Sequence, residues 1–361
     1  MGGLPWVSSP CPDAKSGPGR TRCHARQDAP ADITTICTSG PRIIRHGPAP
    51  NTDPAWPIAA PANAMPSATL CRDVPVKKGP PLSPIILVVS SETPAQQNER
   101  RSYAGQASHE SYAAALRRLR PGIELDTVSC FEAGTLSDLA RHDGIVFAGS
   151  PIQMHEDSAE ARAAARFMAQ VFEAGVPAFG SCAGLQIAAV AAGGATGPRH
   201  PGAEVAFARD ITRTEAGTRH PMLDGRPATW TAPAMHSSVV TRLPAGASSL
   251  AANPDTPIEA AEIRHGRGTF WGVQYHPELS LAEIAASTVH QADDVIDQGL
   301  ARDRRDVEAM AARLRDLDAA PTRVDIAWQL GLNAEIALFE RRMREIANFL
   351  NAVQAGTLRP L

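Results

Sequence analysis

Short apolar runs alternate with helix-like patterns through the middle of the chain. An all-apolar run at 85–89 predicts a buried strand, a helical pattern covers 109–119, and a second strand is predicted at 123–128. Then come a helix near Leu136, a strand ending before Gly149, a helix across 159–173 and a short strand at 177–179. This alternation predicts an α/β fold with a doubly wound, mostly parallel sheet, whose reactive loops gather at the carboxyl ends of the strands.

The pattern changes twice towards the C-terminus. Residues 203–275 are richer in strand patterns and are interrupted by Gly and Pro, which predicts an antiparallel extension of the sheet. From Leu281 onward the chain is helical, and one apolar stripe recurs at steps of three and four: Leu332, Ile336, Phe339, Met343, Ile346 and Leu350. This stripe must be covered by the catalytic domain, by a second copy in a homodimer formed through these C-terminal helices, or by a partner protein.

The first 84 residues have a different composition. They hold about half of the 31 prolines and show neither helical nor strand periodicity, which predicts a disordered Pro-rich segment over 1–84. Two alternatives are translated sequence upstream of a true start such as Met65, and a regulatory arm. The predicted organisation is therefore a disordered segment at 1–84, a catalytic domain at 85–285 and a helical C-terminal extension at 286–361.

A single cysteine stands at the most informative turn of the chain. The short strand at 177–179 runs into Gly-Ser-Cys-Ala-Gly at 180–184, and a helical pattern follows until Gly193-Gly194. Small residues on both sides of Cys182 suit a strained strand-turn-helix elbow, and a helix N-terminus favours the reactive thiolate. Cys182 is a candidate nucleophile, although a buried structural cysteine is the alternative.

A histidine and a glutamate follow another strand about a hundred residues later. The segment Thr269-Phe-Trp-Gly-Val-Gln-Tyr-His-Pro-Glu278 ends with His276 and Glu278 two positions apart. A thiol nucleophile needs an imidazole to transfer its proton and a carboxylate to orient the imidazole. His276 and Glu278 are candidates for these roles, and a surface His-Pro-Glu turn is the alternative.

Together, Gly-x-Cys-x-Gly-x-Gln and Gly-Val-Gln-Tyr-His-Pro-Glu resemble the glutaminase domain of class I glutamine amidotransferases, especially the domain fused in GMP synthase. The resemblance implies a flavodoxin-like α/β fold and no cofactor. It also implies that Cys182 attacks the side-chain amide of L-glutamine to form a thioester, with His276 as base and Glu278 as orienter.

Further positions follow from the same resemblance. It implies oxyanion donors at the backbone of Gly149, in the Gly-Ser-Pro turn 149–151, and at Ala183, while Gln186 helps to hold the substrate. His236 and Ser237 correspond to the segment that binds the α-amino and carboxylate groups of glutamine. Without the resemblance, Gly149 reads as an ordinary turn after a strand, 236–237 reads as a loop entering a strand, and His236 competes for the role of base.

Charge and cysteine spacing exclude several function classes. A formal net charge of −3 gives no electrostatic footprint for nucleic acid or an anionic membrane. No apolar run is long enough for a membrane span, and the N-terminus lacks the order of a secretory signal, so we expect a cytoplasmic protein. The six irregularly spaced cysteines predict free thiols and no metal site.

These observations predict an enzyme that hydrolyses L-glutamine through a cysteinyl thioester and releases ammonia, which a separate synthase partner could accept. The C-terminal region lacks the Ser-Gly-Gly phosphate loop of the GMP synthase ATP-pyrophosphatase domain, so the acceptor reaction is expected elsewhere. One alternative is a hydrolase of another γ-glutamyl amide, since pocket shape decides between such substrates. A non-catalytic regulatory protein with the same fold is the other.

Overall fold

The computed structural model describes residues 84–132 and 136–358. Nine strands within these ranges form one sheet. The prediction for 1–84 lies outside the described residues, apart from Pro84. The strands are β1 Ile85–Ser90, β2 Glu124–Ser129, β3 Gly144–Phe147, β4 Ala178–Ser181, β5 Ala195–Pro198, β6 Glu204–Arg213, β7 Thr229–His236, β8 Ser238–Arg242, β9 Ala247–Ala252, β10 Ala260–His265 and β11 Gly268–Val273.

The large sheet has a parallel half and an antiparallel half. Its strand order is β2-β1-β3-β4-β11-β10-β9-β6-β7, and the five strands from β2 to β11 pair in parallel. The remaining strands continue the sheet with antiparallel pairs, while β5 and β8 form a separate two-stranded sheet. Both the predicted parallel sheet and its antiparallel extension over 203–275 are confirmed.

The helices follow the predicted order, with two additions. They are α1 Pro94–Ala104, α2 Ser108–Leu119, α3 Leu136–Ala140, α4 Ala159–Ala174, α5 Ala183–Ala191, α6 Glu215–Thr218, α7 Leu281–His290, α8 Ala292–Asp297, α9 Arg304–Ala319, α10 Val324–Gln329, α11 Ala334–Ala337, α12 Phe339–Arg342 and α13 Arg344–Gln354. The sequence analysis predicted neither α1 nor the one-turn helix α6. Within the described ranges, no helix combines the length and apolar character needed to cross a bilayer.

Alternate side chains of β1 pack on opposite faces of the sheet. Ile86 and Val88 belong to a core formed with α2 and α13, whereas Leu87 and Val89 belong to a second core formed with α4 and α5. A strand buried on both faces reads as a continuous apolar run, which explains the pattern at 85–89. The sheet is therefore doubly wound, as predicted.

The C-terminal apolar stripe is buried within the chain. All six of its residues, from Leu332 to Leu350, are buried, and Phe349 on the same side of α13 packs against the rings of Phe179 and Trp271. Of the three predicted ways to cover the stripe, the structure has intramolecular packing, so this stripe is not free to pair two copies. The predicted boundary between 285 and 286 falls inside α7.

Candidate active site

The candidate residues lie beyond the carboxyl ends of adjacent parallel strands. Gly149 follows β3, Cys182 follows β4 and His276 follows β11, and these three strands are neighbours in the sheet. Parallel strands end at one edge, where open α/β sheets characteristically form their binding crevices. Sheet topology thus brings His276 together with residues that lie 94 and 127 positions before it in the sequence.

Cys182 occupies a strained turn between β4 and α5. Its φ of 52° and ψ of −107° are unusual for a residue with a side chain, and it forms the N-cap of α5. A Cβ on Gly180 would lie 2.9 Å from the Gly184 Cα atom, and one on Gly184 would lie 2.9 Å from Phe147 Cβ. The elbow therefore requires glycine on both sides of the cysteine, for the steric reason that the sequence suggested.

His276 and Glu278 form a buried pair. The ring Nδ1 of His276 lies 2.7 Å from Oε1 of Glu278, and the His276 backbone N–H donates to the carbonyl of Pro233 at 2.7 Å. Burial acts to lower the pKa of His276, but the Glu278 carboxylate and the Cys182 side chain outweigh burial and raise this pKa to about 10. The imidazole of His276 is therefore held by Glu278 where it can carry a proton for the candidate nucleophile.

Two residues that the sequence analysis missed form a chain of hydrogen-bonding groups that ends at Glu278. Ser181 Oγ donates to Glu278 Oε2 at 2.9 Å, and Ser181 Oγ lies 3.2 Å from the hydroxyl of Tyr112, with all three residues buried. Ser181 directly precedes the cysteine, so its place in the elbow motif is the signal that could have identified it. No sequence pattern predicts the contact between Tyr112 on α2 and Ser181 on β4.

The turn after β3 lies against the imidazole. A Cβ on Gly149 would collide with Cε1 of the His276 ring, so only glycine fits there. Ala183 begins α5 directly after the cysteine, where the first N–H groups of a helix have no acceptor within the helix. Both residues lie where the predicted oxyanion donors require them, but their role stays a prediction.

The remaining predicted residues border the same pocket. Gln186 donates through Nε2 to the Ser238 carbonyl at 2.9 Å, and its buried Oε1 has no hydrogen-bond partner among the described residues. Ser237 is exposed at the pocket wall. His236 is buried, with Nε2 2.9 Å from Glu204 Oε2, and burial lowers its pKa despite that carboxylate. His236 is thus engaged by Glu204, whereas the carboxylate partner of His276 is Glu278.

A pocket of about 620 Å³ joins these residues to a second wall. Cys182, His276, Gly149, Gln186 and Ser237 line one part of it. Another part is lined by residues of α1, α7 and α8 and of the positions that flank α8: Gln96, Glu99, Arg100, Tyr103, Ser287, His290, Gln291, Asp294 and Gln298. Sequence reasoning missed this wall, although Thr93-Pro94-Ala95-Gln96 is a capping-box sequence with proline at the first helical position, and both capping hydrogen bonds form.

Glu92 is a further pocket residue that the sequence analysis missed. It follows β1, is buried, and accepts a hydrogen bond from the Ser108 N–H at 2.8 Å. Burial raises the pKa of its carboxyl group, since the charged form loses solvation. Its position after the carboxyl end of a strand is the signal that could have identified it.

Comparison with known proteins covers up to about three quarters of the chain. A family model described as glutamine amidotransferase class-I matches residues 104–292. A γ-glutamyl-L-1-hydroxyisopropylamide hydrolase from a Pseudomonas species is 32% identical over 273 residues, which cover 74% of this chain and 92% of the relative. A GMP synthase from Leifsonia xyli subsp. xyli is 38% identical over 154 residues, but these cover 41% of this chain and 29% of the synthase.

The fold is shared with a glutamine amidotransferase from Thermotoga maritima of known structure. That structure matches with a TM-score of 0.50 and 12% sequence identity, covering 75% of this chain and 97% of the other. The family match spans the elbow cysteine and the His-Pro-Glu segment, which lie together at the sheet edge. This chain belongs to the class-I glutamine amidotransferase family.

Proposed function

We propose that this chain hydrolyses γ-glutamyl amides through a thioester on Cys182. The observation that carries the proposal is the placement of Cys182, in a positive-φ elbow, in one pocket with the buried His276–Glu278 pair. A helix N-terminus, an adjacent imidazolium and an oriented carboxylate are the conditions under which a thiol becomes a nucleophile.

The proposed mechanism assigns a residue to each step. The Cys182 thiolate attacks the γ-carbonyl carbon, and the carbonyl oxygen becomes an oxyanion near the backbone of Gly149 and Ala183. Collapse of the tetrahedral intermediate breaks the C–N bond, and His276 gives its proton to the departing amine. His276 then takes a proton from water, and the resulting hydroxide attacks the thioester to give a second tetrahedral intermediate. Its collapse breaks the C–S bond, releases glutamate and regenerates the Cys182 thiolate beside the protonated His276. Glu278 holds the imidazole in place throughout.

The glutamyl part of the substrate is assigned to the Gln186 and Ser237 side of the pocket. The buried Gln186 Oε1 and Ser150 Oγ both line the pocket without a partner among the described residues. A substrate ammonium group or a carboxylate could complete such hydrogen bonds, and buried polar atoms without a partner are otherwise costly. His236, held by Glu204, positions the neighbouring Ser237 backbone.

The similarity to the Pseudomonas hydrolase favours an N-substituted γ-glutamyl amide as substrate. That similarity extends over 92% of the relative, whereas similarity to the GMP synthase covers less than a third of the synthase. The second candidate is hydrolysis of L-glutamine itself, with ammonia passed to a separate synthase. The family match and the GMP synthase relatives support it.

Glutamate release from two substrates tests the proposal. Purified chain is incubated with N-(2-hydroxyethyl)-γ-L-glutamyl amide and with L-glutamine, and Cys182→Ala is compared with Cys130→Ala. Cys130 is a buried free cysteine whose pKa burial raises to about 12, so it serves as the matched control. We expect release by wild type and Cys130→Ala but not by Cys182→Ala. Full activity in Cys182→Ala, or no release from either substrate by wild type, would refute the proposal.

A further inference from the structure

Helix α1 contributes no buried residue to either core. It occupies the connection between β1 and α2, and all of it except Ala104 lies outside the 104–292 segment that matches the family model. Helices in doubly wound folds usually stabilise the molecule by burying an apolar face. Core packing therefore does not explain why this chain carries α1.

Polar and stacking contacts hold α1 against α7. Arg100 lies 3.4 Å from Glu283, Glu99 Oε1 lies 3.3 Å from His290 Nε2, and the rings of Tyr103 and His290 stack with centroids 4.0 Å apart and planes at 11°. These contacts set Tyr103 and His290 side by side in the pocket wall. They give α1 a defined position relative to the reacting groups.

The pocket is larger than a single glutamyl group requires. Its volume of about 620 Å³ lies within the range of roughly 300–1,000 Å³ that encloses drug-sized ligands, whereas glutamine is one amino acid. The glutamyl group is assigned to the side of Gln186 and Ser237. The part bounded by α1, α7 and α8 is therefore left for whatever is attached to the amide nitrogen.

We propose that this part, which we call the α1 compartment, binds the amine part of an N-substituted γ-glutamyl amide whose short substituent carries a hydrogen-bonding group. The side chains that α1 and α8 present to it are polar: Gln96, Glu99, Arg100 and Tyr103 from α1, and Asp294 from α8. This inference rests on the proposed function, since it assigns the leaving group of that same reaction.

The chemistry of this wall selects for a polar substituent. The Arg100 Nε is buried without a partner among the described residues. The Gln96 side chain offers its Nε2 as a donor, while its Oε1 accepts the capping hydrogen bond from the Thr93 N–H. A site built to hydrogen-bond a substrate hydroxyl discriminates strongly against an analogue that lacks it, because its own polar groups are left unpaired. A purely alkyl substituent of equal size is therefore a poor substrate.

An isosteric pair of substrates tests the proposal. N-(2-hydroxyethyl)-γ-L-glutamyl amide and N-propyl-γ-L-glutamyl amide differ by one hydroxyl in place of a methyl group, and L-glutamine has no substituent. We measure kcat/KM for all three with wild type, Tyr103→Ala and Gln96→Glu, a change that keeps the capping acceptor of α1 and removes the amide donor. The control variant is Ser102→Ala, an exposed residue of α1 that does not line the pocket.

We expect wild type to prefer the hydroxyethyl amide, and both wall variants to lower its kcat/KM by about 10-fold, the low end of the effect of one pocket group. Their kcat/KM for L-glutamine and the behaviour of Ser102→Ala should stay near wild type. If the wall variants lower kcat/KM equally for all three substrates, or for none of them, the assignment of the α1 compartment to the amine part is wrong while the proposed function stands. If wild type cleaves no γ-glutamyl amide, the proposed function and this inference both fail.

Discussion

At the scale of single residues, the two carboxylate oxygens of Glu278 have different partners. Oε1 faces the His276 ring at 2.7 Å, and Oε2 accepts from Ser181 Oγ at 2.9 Å. Tyr112 lies behind Ser181 at 3.2 Å. Because a carboxylate held at both oxygens cannot rotate freely, the hydroxyl of Ser181 fixes the direction in which Glu278 holds the imidazole.

Replacement of Ser181 by alanine tests this positioning. The change removes one hydrogen bond to a buried charge, which is worth about 1.5–3 kcal/mol, so we expect kcat to fall by about 10-fold or more. KM should change little, because Ser181 does not line the pocket. Tyr112→Phe, which removes only the outer hydroxyl, should have the smaller effect. A rise in KM with unchanged kcat would contradict a positioning role.

Glu278→Gln tests the electrostatic role of the carboxylate through pH dependence. The negative charge of Glu278 helps to raise the His276 pKa to about 10, so the imidazolium that protonates the leaving amine persists up to that pH. Without the charge, the imidazolium is lost at lower pH, and kcat falls by about 10²- to 10⁴-fold, as for other triad orienters.

The measurement for Glu278→Gln is the pH profile of kcat/KM between about pH 6 and 10.5, the window between the ordinary and the raised histidine pKa. We expect the alkaline limb to move to lower pH in the variant. The melting temperature and far-UV circular dichroism of the variant, compared with wild type, show whether it is still folded. An alkaline limb at the wild-type position would remove Glu278 from this role.

At the scale of elements, the strand-turn-helix elbow depends on contact between its own two glycines. Gly180 at the end of β4 and Gly184 in the first turn of α5 approach so closely that a Cβ on Gly180 would lie 2.9 Å from backbone. Backbone atoms cannot rotate away as a flexible side chain can. The position of Cys182 therefore depends on the absence of two side chains.

Gly180→Ala should displace α5 from β4 and abolish most of the amidase activity. Gly197→Ala in β5 is the matched control, since its new Cβ would meet only the Thr241 methyl group, at 3.1 Å. We expect a lower melting temperature and loss of kcat for Gly180→Ala, with near-wild-type behaviour for Gly197→Ala. Equal effects of the two substitutions would show that the elbow tolerates the added methyl group.

At the scale of the whole molecule, buried charges join the C-terminal helices to the catalytic sheet. Arg226 donates to both oxygens of Glu345 at 2.6 and 2.7 Å, and the Tyr275 hydroxyl donates to Glu345 at 2.7 Å. Tyr275 directly precedes His276. The extension therefore contributes both to the apolar core and to the packing behind the candidate base.

Glu345→Ala should destabilise the chain by about 3–5 kcal/mol, because it removes the main partner of the buried Arg226 guanidinium. Glu335, at 3.1 Å, would remain as the only carboxylate near that guanidinium in the described part of the chain. Urea unfolding measures the change, with the exposed Glu340→Ala on the neighbouring helix as control. If both variants unfold at the same urea concentration, the extension is not held by this ion pair.

Features with a local cause were predictable from the sequence. Residues 85–89 read as a buried strand because β1 is covered on both faces, and Gly180-Ser-Cys-Ala-Gly184 read as an elbow because its steric requirement falls within five consecutive positions. The pairing of His276 with Glu278 followed from two positions in one extended segment. Helix α1 was missed although its capping box is local, because its face carries no apolar period.

The sequence alone determined which chemical groups are present in the chain and which helices, strands and turns carry them. Only the tertiary structure decided which distant groups meet. The order of the parallel strands placed Cys182 beside His276. The packing of the fold also brought Ser181 into contact with Glu278 and Tyr112, and the contacts of α1 with α7 placed α1 in the pocket wall. Local patterns follow from propensity and sterics within a few residues. Contacts across the fold arise when all elements pack together, and no single segment encodes that packing.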